Sequence, residues 1–171
     1  MNMRLQMRLL ILSMLIPAAA AAAPPETLEP LTAEDVPALL EPPARGVRII
    51  ELWALYCAYC ETNLRAVAEL SAADAGVQAV TVNTDRNASA AAVLQRLRSA
   101  QATGVPARAY AGASVQRLNY LIDPRWGGEM PHTVVLHADG TRRSASGTLT
   151  AERLKALVEG PKEGPKEGPR P

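Results

Sequence analysis

The sequence has few aromatic residues, few cysteines and almost no net charge, and each shortage excludes a class of protein. It contains no Phe, and aromatic residues make up only 4% of the chain, so Leu, Val, Ile and Ala must fill any core. Two cysteines are too few for a disulfide-stapled scaffold or a four-thiolate zinc site. A formal net charge of +1 gives no electrostatic basis for binding nucleic acid. The remaining class is a small globular domain, which 48% hydrophobic residues can support.

Both ends of the chain differ in composition from its middle. Residues 1–22 combine two arginines, an apolar run and a string of alanines, which is the layout of a secretory signal peptide. An uncleaved membrane anchor is the alternative, although the apolar run is short for a span. Residues 23–31 are rich in Pro and predict a linker, and residues 159–171 repeat Glu-Gly-Pro-Lys, which favours an extended tail. The predicted folded domain is therefore 32–158, in an extracytoplasmic, periplasmic protein.

The middle of the chain alternates short β-branched runs with stretches that have helical spacing. Apolar runs predict strands at 47–53, 77–82, 107–110, 133–137 and 141–146, the last two joined by an Asp-Gly turn. Helices are predicted at 60–70, from a cap at Asn87 or Ser89 to about 100, at 114–121 and from Thr150 to 158. Alternating strands and helices imply parallel crossovers, and the hairpin adds antiparallel strands. The sequence thus predicts an α/β fold with a mixed central sheet flanked by helices.

The two cysteines, Cys57 and Cys60, stand where the first predicted strand ends and the following helix begins. Unpaired amide groups and the dipole at a helix N-terminus stabilise an anion, so a thiol there is partly ionised near neutral pH. Two intervening residues place the second sulfur one helical turn from the first, within reach of a disulfide bond. Cys57 is the expected attacking thiolate, and the more shielded Cys60 would resolve the mixed disulfide. The spacing therefore predicts a redox-active cysteine pair.

Three other uses of this cysteine pair have less support. A disulfide across two residues closes a tiny loop and constrains the unfolded chain little, so it is a poor structural staple. Haem attachment requires a histidine after the second cysteine, where this chain has Glu61. A metal site would need further ligands, and the candidates for a Cu(I) carrier are Met130, His132 and His137. The metal-carrier alternative stays open.

A single carboxylate, Glu51, interrupts the apolar strand before the cysteines. If this side chain is buried, the loss of hydration raises its pKa and suits it to shuttle protons. Alternation along the strand places Glu51 with Trp53 on one face, but it does not decide whether that face is covered or exposed to solvent. Glu51 is therefore a candidate catalytic residue, with an exposed strand position as the second interpretation.

Residues 52–60 read Leu-Trp-Ala-Leu-Tyr-Cys-Ala-Tyr-Cys. They resemble the Phe-Trp-Ala-x-Trp-Cys-x-x-Cys signature of thioredoxin-like proteins, especially the secreted TlpA/ResA/CcmG-type thiol–disulfide oxidoreductases. Residues 128–140 are similar to the Gly-x-Pro-x-Thr strand and Asp-Gly hairpin of the same family. The resemblance extends over residues 47–158 and implies a thioredoxin-like fold.

The resemblance also implies roles for individual residues. It implies a cis peptide bond before Pro131, which would face the cysteines, and it assigns the backbone of Met130 to an incoming client strand. It places Trp53 and Tyr56 at the same substrate-binding surface, with Tyr56 standing where the family usually has Trp. Glu51 falls where thioredoxins carry a buried Asp that relays protons to the second cysteine.

The function implied is the reduction of disulfides in secreted or periplasmic proteins, apocytochrome c among them, with no small-molecule cofactor and no metal. A membrane electron-donor protein would then re-reduce Cys57 and Cys60. The dipeptide Ala58-Tyr59 lacks the histidine of strong oxidants, so a reduction potential of roughly −180 to −270 mV is expected. The same chemistry run in reverse, as a disulfide oxidase or isomerase, is the alternative enzyme.

Overall fold

The computed structural model describes residues 27–160. The predicted signal peptide and residues 161–171 of the predicted tail lie outside this range. In chain order the elements are β1 (Leu28–Leu31), α1 (Val36–Leu39), β2 (Val47–Trp53), α2 (Cys60–Ala73), β3 (Val77–Asn83), α3 (Ala90–Ser99), β4 (Ala107–Tyr110), α4 (Val115–Ile122), β5 (His132–His137), β6 (Arg142–Ser146) and α5 (Ala151–Glu159).

The strands form one mixed sheet in the order β1-β4-β3-β2-β5-β6. The first four strands of this order are parallel to one another, whereas β5 runs antiparallel to both β2 and β6. Helix α2 connects the parallel neighbours β2 and β3, and α3 connects β3 and β4, because parallel strands need a crossover. The predicted α/β fold, with a mixed sheet flanked by helices, is confirmed.

The start of the domain differs from the prediction. The sequence predicts a linker at 23–31, but Leu28–Leu31 forms strand β1 and pairs with β4. This strand lies at the edge of the sheet, where proline is tolerated, so Pro30 does not prevent pairing. Leu31 is fully buried and joins the core. The folded unit therefore begins before residue 32.

Side-chain caps define the starts of three helices. Ser89, rather than Asn87, caps α3, and its hydroxyl accepts a hydrogen bond from the Ala92 amide at 3.2 Å. Ser114 and Thr150 cap α4 and α5 in the same way. These caps satisfy amide groups that have no partner within the helix. Within residues 27–160, no helix has the length and apolar character that a membrane crossing requires.

Helices cover both faces of the sheet, so β2 is buried along nearly its whole length. Ile50 and Leu52 pack on the face covered by α1 and α4, whereas Ile49 and Trp53 pack on the face covered by α2, α3 and α5. Strand alternation places Glu51 on this second face, between Ile49 and Trp53. Its side chain is 0% exposed, which excludes the exposed strand position as an interpretation.

Candidate active site

Cys57 and Cys60 form a disulfide at the start of α2, with their Cα atoms 5.5 Å apart. Cys60 is the first residue of the helix and is fully buried, whereas Cys57 lies in the preceding turn and is 7% exposed. The Cys57 amide donates to the Ala54 carbonyl at 3.1 Å, and the Cys60 amide donates to the Cys57 carbonyl at 3.4 Å. Cys57 is thus the sulfur nearer the surface, as its predicted role in attack requires.

Helix α2 begins without a side-chain cap. Its N-cap residue, Tyr59, makes no side-chain hydrogen bond to the helix, in contrast to the capping residues of α3, α4 and α5. The amides of the first turn therefore keep their ability to stabilise a negative charge. Together with the helix dipole they favour a thiolate on Cys57 once the disulfide is reduced.

The segment that leads into the cysteines is fastened to the loop after β3. The Leu55 amide donates to Asp85 Oδ2 at 2.6 Å. The amide and the hydroxyl of Thr84 both donate to the Trp53 carbonyl, at 2.9 and 3.3 Å. Because β2 and β3 are parallel, their carboxyl ends lie side by side and bring these groups together. The turn before Cys57 is therefore held by its neighbouring strand.

The cis-proline predicted from the resemblance lies beside the cysteine turn. The Met130–Pro131 peptide bond is cis. His132 pairs with Leu52 in the sheet register, so Pro131 lies level with the end of β2. Met130 packs against the apolar cluster that contains both cysteines. Folding therefore joins two segments that are far apart in the sequence into one site.

The three aromatic residues nearest the cysteines have two different environments. Tyr56 and Tyr59 are 76% and 68% exposed, so both are accessible to a partner. Trp53, predicted to bind substrate, is 0% exposed and packs in the buried cluster that includes Cys60. The prediction for Trp53 needs correction, because a side chain enclosed by α2 and α3 cannot contact a client. Trp53 supports the disulfide from the core side.

Glu51 is buried beneath the first turn of α2. The Thr133 hydroxyl donates to Glu51 Oε2 at 2.5 Å, while Oε1 has no hydrogen-bond partner among the described residues. Burial raises the pKa of Glu51 to about 8, and the Thr133 hydrogen bond and the nearby Asn63 amide oppose this shift without cancelling it. The carboxyl is therefore mostly protonated at neutral pH and exchanges its proton near pH 8.

His132, directly after the cis-proline, is held by buried contacts. Its Nε2 lies 3.2 Å from Asp123 Oδ2, and its Nδ1 lies 2.8 Å from Ser146 Oγ. Its ring stacks on Trp126 with the centroids 4.5 Å apart. Burial lowers the pKa of His132, which favours the neutral ring. These contacts tie the start of β5, directly after Pro131, to the end of α4 and to β6.

The candidate ligands for a metal carrier are not assembled at the cysteines. Within residues 27–160, no cluster of three or more His, Cys, Asp or Glu side chains could hold a metal ion. Both ring nitrogens of His132 are engaged. His137 lies at the opposite end of β5, with its Nε2 3.2 Å from the Leu157 carbonyl. Met130 packs against the apolar cluster that contains the cysteines.

Three polar residues of the site were missed by the sequence analysis: Asn63, Asp85 and Thr133. Thr133 faces Glu51 only because β5 pairs with β2 in this register. Asp85 contacts Leu55 only because β3 lies beside β2. Thr133 falls within the Gly-x-Pro-x-Thr resemblance, but no local pattern reveals the partner of Thr133 or of Asp85, since these partners are distant in the sequence. Asn63 has one local signal, a polar residue on the apolar side of a predicted helix.

Three solved structures illustrate what this fold is similar to. A secreted disulfide oxidoreductase of Mycobacterium tuberculosis, described as homologous to E. coli DsbE, has a TM-score of 0.53 and 16% identity, over 68% of this chain and 83% of that one. A thioredoxin-related protein from Neisseria meningitidis serogroup B has a TM-score of 0.53 and 25% identity, over 67% and 84%. A thiol:disulfide interchange protein of the thioredoxin family from Chlorobium tepidum has a TM-score of 0.53 and 17% identity, over 71% and 81%. No family model and no curated protein matches the sequence.

These similarities show that the chain has a thioredoxin-like fold, which confirms the fold implied by the resemblance. The structural neighbours are thioredoxin-like disulfide oxidoreductases, the class that the residues around Cys57 and Pro131 resemble. A Cys-x-x-Cys disulfide on this fold is consistent with the predicted oxidoreductase.

Proposed function

We propose that the chain is an extracytoplasmic thiol–disulfide oxidoreductase that reduces disulfides of secreted or periplasmic proteins. One observation carries the proposal: the Cys57–Cys60 disulfide lies at an uncapped helix start, beside the cis Met130–Pro131 peptide. The signal-like composition of residues 1–22 supports the location, as does the secreted M. tuberculosis protein of the same fold.

The first step is attack by Cys57. In the reduced enzyme its thiolate attacks one sulfur of the client disulfide. A mixed disulfide forms, and the other client sulfur leaves as a thiolate that takes a proton from water. The client strand pairs with the backbone of Met130, as in β-augmentation. The exposed rings of Tyr56 and Tyr59 provide apolar surface around the reacting sulfur.

The second step is resolution by Cys60. Its thiol gives a proton to Glu51 in the fraction of molecules whose carboxyl is ionised, a fraction that grows as the pH rises towards 8. The resulting thiolate attacks Cys57 Sγ. The second client sulfur leaves as a thiolate that takes a proton from water, and two electrons have passed from the cysteine pair to the client. The product is the Cys57–Cys60 disulfide found in the structure. Because the buried carboxyl has a raised pKa, Glu51 retains this proton until the disulfide is reduced again.

A further cycle needs an external donor of two electrons. A membrane electron-donor protein that attacks Cys57, the sulfur nearer the surface, would return the site to the dithiol. Cys60 would then recover its proton from Glu51. Sulfur carries the electrons throughout, so this cycle uses no small-molecule cofactor. Apocytochrome c is the proposed client by resemblance to the TlpA/ResA/CcmG-type proteins.

Substitution of each cysteine tests the proposal. Cys57→Ser is expected to abolish reduction of insulin disulfides, because the attacking sulfur is removed. Cys60→Ser is expected to stop turnover but to trap clients as mixed disulfides on Cys57, which non-reducing electrophoresis detects. Ala58→Ser is the matched control, since it alters the same exposed turn and leaves both sulfurs in place. An active Cys57→Ser enzyme would rule the mechanism out.

The same preparations separate the two rival functions. An oxidase or isomerase would form or shuffle client disulfides in preference to reducing them. A Cu(I) carrier would bind the metal tightly in its reduced form and exchange little with glutathione disulfide. Cu(I) titration beside the insulin assay therefore distinguishes the carrier from the enzyme.

A further inference from the structure

A buried amide lies one helical turn after the second cysteine. Asn63 is 1% exposed and stands on the apolar side of α2 with Cys60 and Leu64. A polar side chain buried without partners costs free energy, so its hydrogen bonds indicate what holds it there.

Both ends of the Asn63 amide bind backbone groups of the loop between β6 and α5. Its Nδ2 donates to the Gly147 carbonyl at 3.3 Å, and its Oδ1 accepts from the Leu149 amide at 3.0 Å. Asn63 and this loop are far apart in the sequence. One side chain therefore holds the loop against the cysteine helix at two points.

The same loop holds the cis-proline. The Gly147 amide donates to the Pro131 carbonyl at 2.8 Å. Gly147 has a φ of +88°, a conformation that favours glycine, so the loop turns sharply at the residue that binds both partners. A continuous path of hydrogen bonds runs from α2 through Asn63 and Gly147 to Pro131.

We propose that Asn63 is a positioning residue that sets the place of the cis-proline relative to the cysteines, and so favours protein disulfides over small ones. The inference rests on the proposed function and deepens it. A client strand must pair with the Met130 backbone while its disulfide reaches Cys57, so its rate of reduction depends on the distance between these two segments. A small disulfide contacts Cys57 alone, so its rate does not depend on that distance.

Asn63→Ala is the test variant, and Val77→Ala is its control. Val77 is also buried, but it pairs with Val47 at the opposite end of β2 from the cysteines. The kcat/KM for insulin and the rate of reaction with glutathione disulfide are measured for the folded fraction of each protein. Hydrogen exchange of the Gly147 amide, in the oxidised full chain, reports the bond to Pro131 directly.

Asn63→Ala is expected to lower kcat/KM for insulin about tenfold, mainly through KM, because a displaced Met130 backbone pairs less well with the client strand and a misplacement of about 1 Å can cost up to about 100-fold. The rate with glutathione disulfide is expected to stay within about twofold of the wild-type rate, and the Gly147 amide is expected to exchange faster. Val77→Ala is expected to change neither the substrate preference nor Gly147 exchange. Asn63→Ser, whose hydroxyl is too short to reach both backbone groups, tests the same point if the alanine variant does not fold.

Three results would overturn the proposal. An unchanged ratio of protein to small-disulfide rates would remove the positioning role while leaving the proposed function intact. An equal loss on both substrates with a shifted pH profile would show that Asn63 acts through Glu51 instead. A wild-type protein that exchanges with glutathione disulfide but never with insulin would refute the client class itself, together with this inference.

Discussion

The protonation state of Glu51 is set by the environment of its carboxyl in the folded protein. It stands in a strand covered by helices on both faces, so its carboxyl has lost its hydration. One hydrogen bond, from Thr133, does not replace that hydration, and the protonated form is favoured. A buried carboxyl that exchanges a proton with Cys60 therefore lowers the stability of the folded protein at high pH, where the carboxyl is ionised.

Replacing Glu51 by Gln is expected to increase the free energy of unfolding at pH 8 and to change it little at pH 4. The pKa of the carboxyl in the folded protein, about 8, lies above its ordinary value of 4.5, so the folded state binds the extra proton between these two pH values. The contribution of this carboxyl to the free energy of unfolding is therefore fully present below pH 4.5 and is lost as the pH rises through 8. By proton linkage the expected difference at pH 8 is on the order of 4 kcal/mol. Denaturant unfolding of the oxidised proteins measures it.

Glu69→Gln is the control for this measurement, because Glu69 lies exposed on α2. It is expected to leave stability unchanged at both pH values. The Glu51→Gln enzyme is also expected to lose the rise in the Cys60-dependent step through pH 8. A wild-type stability that increases from pH 5 to pH 8 relative to Glu51→Gln would contradict the burial argument.

At the scale of elements, α2 differs from the other long helices in how its start is held. Its N-cap residue, Tyr59, makes no side-chain hydrogen bond to the helix, so the amides of the first turn remain available to a thiolate. The preceding turn is instead held from outside the helix, by Asp85 at the carboxyl end of β3. The loop after β3 thus fixes this turn without occupying the amides at the start of α2.

Asp85→Ala is expected to lower the free energy of unfolding by about 1 to 3 kcal/mol, because it removes a charged acceptor from the partly buried Leu55 amide. The Leu55 amide is expected to exchange faster as the turn loosens. Ser114→Ala, which removes the cap of α4 and costs about 1 kcal/mol, is the matched control and is expected to leave Leu55 exchange unchanged. Denaturant unfolding curves and hydrogen exchange of the Leu55 amide are compared between the two variants. Equal Leu55 protection in both variants would show that Asp85 does not hold the turn.

At the scale of the whole molecule, the topology assembles the site from segments distant in the sequence. Parallel pairing of β2 with β3 brings Asp85 to the cysteine turn, and antiparallel pairing of β2 with β5 brings Pro131 and Thr133. Both pairings meet at the carboxyl end of β2, next to the start of α2. The reduction potential of the Cys57–Cys60 pair, compared with that of its partner, sets the direction of electron flow.

The Cys57–Cys60 pair is expected to equilibrate with glutathione at roughly −180 to −270 mV, since no imidazolium stands between the cysteines. Tyr59→His is expected to make the potential more positive by about 30 mV or more, because a nearby cation stabilises the thiolate of the reduced form. Tyr59→Phe is the control for loss of the phenol and is expected to stay near the wild-type value. A wild-type value near −120 mV would identify a disulfide donor instead.

Much of the fold follows from local pattern. Strands β2 to β6 and the start of α2 were predicted close to their observed places, because β-branched runs and apolar spacing act within a few residues. Strand β1 was missed because four residues containing a proline carry no strand signal of their own. It forms because β4 offers it a partner and the core accepts Leu31.

The sequence by itself determined that Cys57 and Cys60 lie within bonding distance of each other, because two sulfurs separated by two residues at a helix start are brought together by local geometry. Only the tertiary structure decided whether Glu51 is buried, whether Trp53 can reach a client and what Asn63 binds. Burial depends on which elements cover a face, and these hydrogen bonds join groups brought together by strand pairing and helix packing. Neither the burial of a residue nor these hydrogen bonds can be predicted from the residues next to it in the sequence.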